Sequence, residues 1–388
     1  MNIKETVAQY HDYLIEMRRW FHQHPETSQE EFETSKKIKE ELTKMGVEWR
    51  PCGMETGVLA TVKGAKPGKT IMLRADIDAL PVKENTGLEY ASLNEGKSHA
   101  CGHDCHISTL LTAAKVLNDH KDELCGTVKL AFQPAEEVGL GAKAMIAEGA
   151  LDGVDGAFGI HVWSDLPAGK ISLSAGPRMA AAEEFQVWVH GKQGHGSAPH
   201  QCIDAPYISS AMVVGLQEAV SREMNPFDPV VVTVGKIEAG ERWNVVGGEA
   251  YFEGTIRYYS KEVDEMIDPI VERICKGIGQ AYRATVDCKF TKILGPTIND
   301  PAMTEICQEA ARKACGDDCL VDFGAVTGGE DFSFYADKVP AAFAFVGVGN
   351  EACGAVWPQH SDKFRVDEDS IINSVALYVS VAMEHNAQ

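Results

Sequence analysis

The order of predicted helices and strands changes in the middle of the chain, and this change constrains the fold more than any other feature. Between residues 179 and 292 the predicted elements run β-α-β-β-α-β, which is typical of a four-stranded antiparallel sheet with two helices on one face. On either side, strands alternate with helices, as in a mostly parallel sheet with both faces covered. We therefore predict an α/β domain built from residues 1–178 and 293–388, with an α+β, ferredoxin-like domain of residues 179–292 inserted into it.

Local patterns predict the main elements around this division. Hydrophobic spacing predicts a helix over residues 3–21 and a second helix that opens at Ser28, where Glu31 completes a capping box. A Lys-Pro-Gly turn at residues 66–68 is predicted to separate two strands, and one long helix is predicted over residues 204–223.

Charge and cysteine content limit the partners and the compartment. The chain has 388 residues and a formal net charge of −21, so its surface should repel nucleic acid and anionic membranes. Its 11 cysteines are odd in number and include no CxxC pair, which indicates reduced thiols. There is no signal-type apolar core and no run of about 18 apolar residues. We predict a cytoplasmic protein that binds neither nucleic acid nor membranes.

Potential metal-ligating side chains are most concentrated between Ser98 and His106, where thiol, imidazole and carboxylate groups stand at the start of a predicted helix. Cys101 and His103 alone cannot complete a metal coordination shell, so further ligands must come from distant positions. In open α/β sheets such residues gather where strands end. The polar residues at or just after the ends of predicted strands are Asp76, Asp78, Glu136, Glu137, His161 and His360.

Thiolate, imidazole and carboxylate ligands suit a borderline-soft divalent ion such as zinc, with cobalt, nickel or manganese as alternatives. The position of Cys101 just before a helix should favour its thiolate. Of the adjacent Glu136 and Glu137, one can bind metal while the other moves a proton.

Each of these residues also has an ordinary structural interpretation. A single histidine at a strand end is more often structural than a ligand, paired glutamates are usually solvated, and an aspartate can simply cap a turn. Cys105 and His106 fall inside the predicted helix and are more typical of packing or of support for the ligands. The convergence of so many groups at strand ends of one domain favours the metal site.

Four motifs occur in order along the chain: Arg74-Ala75-Asp76-Ile77-Asp78-Ala79-Leu80-Pro81, His99-Ala100-Cys101-Gly102-His103-Asp104 with His106, Gln133-Pro134-Ala135-Glu136-Glu137, and Gly159-Ile160-His161. Together they resemble the amidohydrolase branch of the M20 metallopeptidase family, which includes N-acyl-amino-acid, hippurate and auxin-conjugate hydrolases. The likeness extends over essentially the whole chain.

The resemblance implies a zinc-peptidase-like catalytic domain with a mixed sheet, and an inserted domain that serves as lid and dimerisation domain. It also implies two divalent metal ions (Zn, Mn, Co or Ni), with Glu136 as general base and acid and Asp76 supporting the ligands. The implied ligands are Cys101 as the bridge, with His103, Glu137, His161 and His360.

In the inserted domain, the resemblance implies that His195 helps to hold the scissile carbonyl, in its own site or in that of a partner subunit. It assigns Asn244 and Arg257 to substrate binding. Gly328-Gly329-Glu330-Asp331-Phe332 matches a turn beside the family's site. One departure concerns Asn244: Gly247-Gly248 stands where relatives usually have proline.

The resulting hypothesis is an amidohydrolase that forms a homodimer or a dimer-based oligomer and cleaves N-acyl amino acids with water activated by the metal ions. Two alternatives stay open. One is an M20 dipeptidase or carboxypeptidase that acts on unacylated peptides, and the other is a non-catalytic metal or thiol protein. The acyl group, the amino acid and the native metal are not determined by the sequence.

Overall fold

The computed structural model describes residues 1–388. None of its helices combines the length and the apolar character needed to cross a membrane. The α-helices are α1 Ile3–Ala8, α2 His11–Gln23, α3 Phe32–Met45, α4 His103–Asp119, α5 Gly141–Ala147, α6 Ala205–Gly215, α7 Lys261–Ala281, α8 Pro301–Cys315, α9 Ser333–Ala336 and α10 Ile372–Asn386. The strands are β1 Glu48–Pro51, β2 Val58–Lys63, β3 Lys66–Asp76, β4 Cys125–Gln133, β5 Gly156–Pro167, β6 Ile171–Ser172, β7 Gly176–Met179, β8 Ala182–His190, β9 Gly194–His195, β10 Val231–Ala239, β11 Val245–Val246, β12 Glu249–Arg257, β13 Thr285–Leu294, β14 Thr297–Asn299 and β15 Ala341–Gly349.

The chain forms two compact units, one of residues 1–178, 298–324 and 331–388, and one of residues 179–297 and 325–330. The first unit contains a seven-stranded sheet in the order β1-β2-β4-β3-β5-β15-β6. Its central strands β4, β3, β5 and β15 run parallel, and antiparallel strands flank them, so the sheet is mixed.

Burial explains why the central strands of this sheet read as continuous apolar runs. The first eight residues of β15 are buried, as is all of β5 from Gly156 to Val162, because helices cover the sheet. Helix α4 is itself buried along most of its length, and α2, α3 and α10 pack against it. Helix α4, which begins at His103, is therefore held from several sides.

The second unit is an antiparallel sheet in the order β10-β12-β8-β13, with α6 and α7 packed against it. The element order β8-α6-β10-β12-α7-β13 matches the predicted one. Alternation along β8 places Phe185, Val187 and Val189 in the core, while the residues between them are partly exposed.

The units differ from the predicted boundaries in two segments, residues 293–297 and 325–330, which pack with the second unit. Leu294 continues β13 and lies opposite Ala182 in β8. The Ala180 amide donates to the Gly328 carbonyl at 3.0 Å. Backbone pairing of this kind links residues far apart in sequence, and local patterns do not reveal it.

Several local predictions were wrong. The helix predicted over residues 3–21 is divided, because Tyr10 leaves helical geometry with ψ 8°. The Ser28 hydroxyl donates to Asp78 Oδ2 at 2.7 Å and caps no helix, so α3 begins only at Phe32. In the first case the backbone at Tyr10 departs from the helix that the hydrophobic spacing predicts. In the second case a tertiary hydrogen bond replaces the predicted helix cap.

Two further local predictions differ from the structure. The predicted turn at residues 66–68 belongs to β3, which accommodates the Pro-Gly pair by a register shift between Lys66 and Thr70. The long helix predicted over residues 204–223 stops at Gly215, and a π-helical turn follows at Ala219–Glu223.

An acidic pair inside the second unit has no counterpart in the predictions. Glu183 on β8 is fully buried, and neither of its carboxylate oxygens accepts a hydrogen bond from a donor group. Burial, followed by the neighbouring Asp268 on α7, raises the pKa of Glu183 to about 8. Lys292 opposes this shift but is itself paired with Asp264 at 2.8 Å, and Asp264 adds to the repulsion. A protonated Glu183 can donate a hydrogen bond to Asp268.

We expect this pair to make unfolding depend on pH. Because the folded pKa of Glu183 lies above its unfolded value, its favourable contribution is complete at low pH and is lost as pH rises through about 8. Glu183→Gln keeps a hydrogen-bond donor at this position but removes the titrating carboxyl group. In urea unfolding, the variant should be more stable than the parent at pH 8 and should lose that advantage at pH 5. An advantage of equal size at both values would contradict the shared proton.

Candidate metal centre

The residues of the predicted metal site come from segments that meet at one edge of the first unit's sheet. Asp76 ends β3, Glu137 lies four residues beyond the end of β4, and His161 lies within β5. His360 is in the loop that follows β15. Because β4, β3, β5 and β15 are parallel neighbours, their carboxyl ends share an edge, as predicted for an open α/β sheet.

Backbone geometry places the Cys101 motif at this edge. Gly102 caps α4 with φ 88°, and a Cβ there would lie 2.4 Å from Val162 Cγ2, so only glycine fits. Two non-glycine residues near the site, Ala135 and His360, also have positive φ values of 54° and 65°. The His360 amide donates to the Ala100 carbonyl at 2.8 Å, which ties the two loops together. Unusual backbone of this kind is common at functional sites.

Two sets of ligand atoms share Cys101. Its thiol, one nitrogen of His103 and one of His161 lie within 4.8 Å of one another, and the same holds for Cys101, Glu137 and His360. Cys101 Sγ is 3.4 Å from His161 Nε2. The Cys101 sulfur therefore belongs to both groups of possible ligand atoms.

Glu137 connects the two histidines across the cluster. Its Oε1 lies 3.8 Å from His103 Nε2, and its Oε2 lies 3.7 Å from His360 Nε2. His103 Nε2 and Glu137 Oε1 are buried and have no hydrogen-bond partner in the protein. Orphaned buried polar atoms are costly, so this pair fits a bound cation.

Hydrogen bonds to backbone carbonyls orient the two buried histidines. Nδ1 of His103 donates to the Asp78 carbonyl at 2.9 Å, and Nδ1 of His161 donates to the Val162 carbonyl at 2.7 Å. A carbonyl can only accept, so in each neutral ring Nε2 keeps its lone pair and points into the cluster. This arrangement is usual for metal-binding histidines.

His106 differs from its neighbours because both of its nitrogens are used. Nδ1 donates to Asp76 Oδ1 at 2.5 Å, and Nε2 accepts from the Val162 amide at 2.9 Å. Asp76, His103 and His106 form another close group of ligand atoms, but His106 has no lone pair left for metal. Sequence reasoning left the role of His106 open, and only tertiary contacts define it.

The cluster carries more negative than positive charge. Burial would lower the pKa of His103, but Asp76, Asp78 and Glu137 outweigh it and raise that pKa to about 10. Burial raises the pKa of Glu137 to about 7, with a contribution from Asp78 that His103 opposes. Buried carboxylates in such numbers are compatible with divalent cations.

The prediction that a helix N-terminus favours the Cys101 thiolate is wrong for the protein without metal. Burial, followed by Glu137 and Glu136, raises the pKa of the Cys101 thiol well above its usual value. Desolvation and two nearby carboxylates exceed the helix dipole here. Metal coordination deprotonates a thiol regardless of such a shift.

Glu136 lies beside the cluster, although it belongs to neither set that contains Cys101. One of its carboxylate oxygens lies within 4.8 Å of the ligand atoms of His103 and Glu137, and the residue is 9% exposed. A carboxylate in this position reaches the space next to the ligands and has some access to solvent. It can therefore move a proton there without taking a coordination position.

The other predicted site residues lie in the second unit. His195 in β9 is exposed, and its Nδ1 accepts from the Ser197 amide at 3.1 Å. The Gly196 amide donates to the Asn244 carbonyl at 2.9 Å, so the segments of His195 and Asn244 are brought together. The Asn244 side-chain oxygen is buried and has no hydrogen-bond partner.

Arg257, at the end of β12, is not part of that loop pair. Its Nη1 donates to the Ile256 carbonyl at 3.0 Å and also contacts Thr255 Oγ1. Burial lowers the pKa of its guanidinium. The predicted substrate residues thus divide into a loop pair and a separate arginine.

Comparison with known proteins places this site in a family. The profile of Peptidase family M20/M25/M40 matches residues 72–384. The chain is 41% identical to a thermostable carboxypeptidase of Saccharolobus solfataricus over 371 residues, covering 95% of this chain and 94% of the relative. It is also 41% identical to an N-acetyl-L-cysteine deacetylase of Bacillus subtilis over 368 residues, covering 95% and 87%.

A solved structure agrees with both comparisons. The crystal structure of a dinuclear metal-binding M20 peptidase from Bacillus subtilis superposes with a TM-score of 0.86 and 34% identity, covering 97% of this chain and 98% of that one. Fold, motif order and these relatives agree along nearly the whole length, so the chain belongs to the M20/M25/M40 peptidase family of hydrolases and to its amidohydrolase branch.

Proposed function

We propose that this protein is a two-metal amidohydrolase that cleaves the amide bond of N-acyl amino acids. The observation that carries the proposal is Cys101, whose sulfur belongs to two sets of potential ligands with Glu136 beside them. The relative that deacetylates N-acetyl-L-cysteine supports the substrate class, and the dinuclear relative supports two ions. Cys101 is proposed as the bridge, with His103, Glu137, His161 and His360 as the other ligands.

The ligand set fits zinc, manganese, cobalt or nickel. When bound, such ions would polarise the scissile carbonyl and lower the pKa of an attacking water. The protein supplies the proton transfers: Glu136 takes a proton from the attacking water and delivers it to the leaving amine. Its 9% exposure leaves the carboxylate within reach of solvent.

His195 is proposed to stabilise the developing oxyanion. Because Nδ1 accepts from the Ser197 amide, the proton of the neutral ring lies on Nε2, which can donate to the carbonyl oxygen. Asn244 and Arg257 are proposed to bind the substrate. The free donors of the guanidinium can pair with an α-carboxylate. The homodimer and the cytoplasmic location remain predictions.

A carboxypeptidase is the second candidate function, because the Saccharolobus relative carries that name at 41% identity. A panel of N-acetyl, N-benzoyl and indole-acetyl amino acids, together with the unacylated dipeptides of matched sequence, separates the two. We expect kcat/KM for the best acylated substrate to exceed that of its dipeptide counterpart at least about tenfold, a difference of about 1.4 kcal/mol. A preference for dipeptides with a free amino group would contradict the proposal.

The third possibility was a non-catalytic metal or thiol protein. A chelator should abolish hydrolysis of the best substrate, and added metal should restore it, because the proposed chemistry depends on the ions. Activity that survives chelation but is lost on thiol alkylation would favour the thiol alternative.

A further inference from the structure

An arginine that the proposed reaction does not use lies directly behind the metal ligands. Arg74 is fully buried in β3, two residues before Asp76. Its Nη1 donates to Asp76 Oδ2 at 2.8 Å, and its Nε donates to Gln133 Oε1 at 2.9 Å. The planar guanidinium fixes the direction of each of these bonds.

Asp331 holds the other side of the guanidinium. Nη2 of Arg74 donates to Asp331 Oδ1 at 2.8 Å, and Gln133 Nε2 donates to both Asp331 oxygens at 2.8 Å. The Ala142 amide donates to Asp331 Oδ2 at 3.0 Å. Asp331 belongs to the segment Gly328-Gly329-Glu330-Asp331-Phe332, which by resemblance was expected beside the family's site.

The same chain of contacts continues from Asp76 to the ligands. Asp76 Oδ1 accepts from His106 Nδ1 at 2.5 Å, and His106 Nε2 accepts from the Val162 amide, the residue after His161. The rings of His106 and His161 lie 4.8 Å apart. Asp76 Oδ2 also lies 3.6 Å from His103 Nε2. The orientation of two proposed ligands therefore depends on where Asp76 is held.

We propose that Arg74 is a positioning residue: held by Asp331 and Gln133, it fixes Asp76 and, through His106, the two ligands His103 and His161. This inference rests on the proposed metal site. Arg74 itself touches neither substrate nor the reacting atoms. Without its cation, the Asp76 and Asp331 carboxylates would share a buried site with no positive charge between them, and Asp76 would turn from its present position.

The test measures zinc affinity, not turnover. Arg74→Lys keeps the charge but cannot hold three partners in fixed directions, and Asp331→Asn removes the charge that anchors the guanidinium. Competition with a chromogenic chelator should give a zinc Kd about 10–100-fold weaker in each variant, as found when partners of metal ligands are lost. The zinc Kd of the double variant should be little higher than that of the single variant with the lower affinity, because both substitutions act through Asp76.

Tyr378→Phe is the matched control. The Tyr378 hydroxyl donates to the backbone carbonyl of Arg74, so its removal takes away a contact to Arg74 but leaves the contacts of the guanidinium intact. It should lower the unfolding midpoint in urea without changing the zinc Kd. If Arg74→Lys does not fold, the zinc Kd of Asp331→Asn alone decides the test. Wild-type zinc affinity in the folded variants, or an equal loss in Tyr378→Phe, would overturn the proposal. If the variants bind zinc more weakly but the parent protein cleaves no amide, the positioning role of Arg74 stands and the proposed function is refuted instead.

Discussion

Glu136→Gln should retain its metal ions and lose hydrolysis of N-acyl amino acids by about 10²–10⁴-fold, the usual contribution of a general acid-base group. Glutamine has the same shape but cannot take a proton from water. The carboxylate lies close to His103 and Glu137 yet belongs to neither set that shares Cys101, so metal content should not change. The loss should appear in kcat with little change in KM, because ground-state binding does not use this proton.

Glu137→Gln is the matched control for this prediction, because the two glutamates are adjacent and both lie beside His103. As a proposed ligand, Glu137 should lose metal on substitution, and excess metal should restore part of the activity. An active Glu136→Gln protein, or one whose activity returns with added metal, would contradict the assigned role.

Cys101→Ser should lower both metal content and activity, the latter by more than about 100-fold, because loss of a direct ligand exceeds the effect of losing its supporting partners. As the proposed bridge, Cys101 would hold both ions, so metal content should fall by more than one ion per chain. Metal analysis after gel filtration, with hydrolysis measured in parallel, checks this expectation.

Cys105→Ser provides the comparison, because Cys105 lies in the first turn of α4, four residues after Cys101. Cys105 is buried like Cys101, with 0% against 8% exposure, but it lies in the hydrophobic core and in none of the close groups of ligand atoms. Its substitution should reduce stability and leave metal content near that of the parent. If the two variants lost metal equally, the bridge would have to be assigned elsewhere.

The position of the site could be predicted because it follows from sheet geometry. Asp76, Glu136, Glu137 and His161 lie at or just beyond parallel strands, and the parallel sheet brings these segments to one edge. The β-α-β-β-α-β order of the second unit was equally visible, since alternating burial along β8 has a clear period of two.

The supporting contacts could not be predicted, because they join residues far apart in the chain. Asp104 accepts from His22 Nδ1 at 2.7 Å and lies 3.2 Å from Arg18 Nε, and no local pattern links these three residues. Burial alone would raise the pKa of Asp104, but Arg18 and His22 hold it far below its usual value. The same reason explains the wrong prediction for Cys101, since its burial was not visible from the sequence.

The most direct test of the central claim is the metal content of freshly purified protein, measured by mass spectrometry together with hydrolysis of the preferred N-acyl amino acid. We predict two divalent ions per chain in the active protein, loss of both ions and of activity on chelation, and recovery as two equivalents are returned. Full activity in protein that holds one ion or none would contradict a two-metal centre bridged by Cys101.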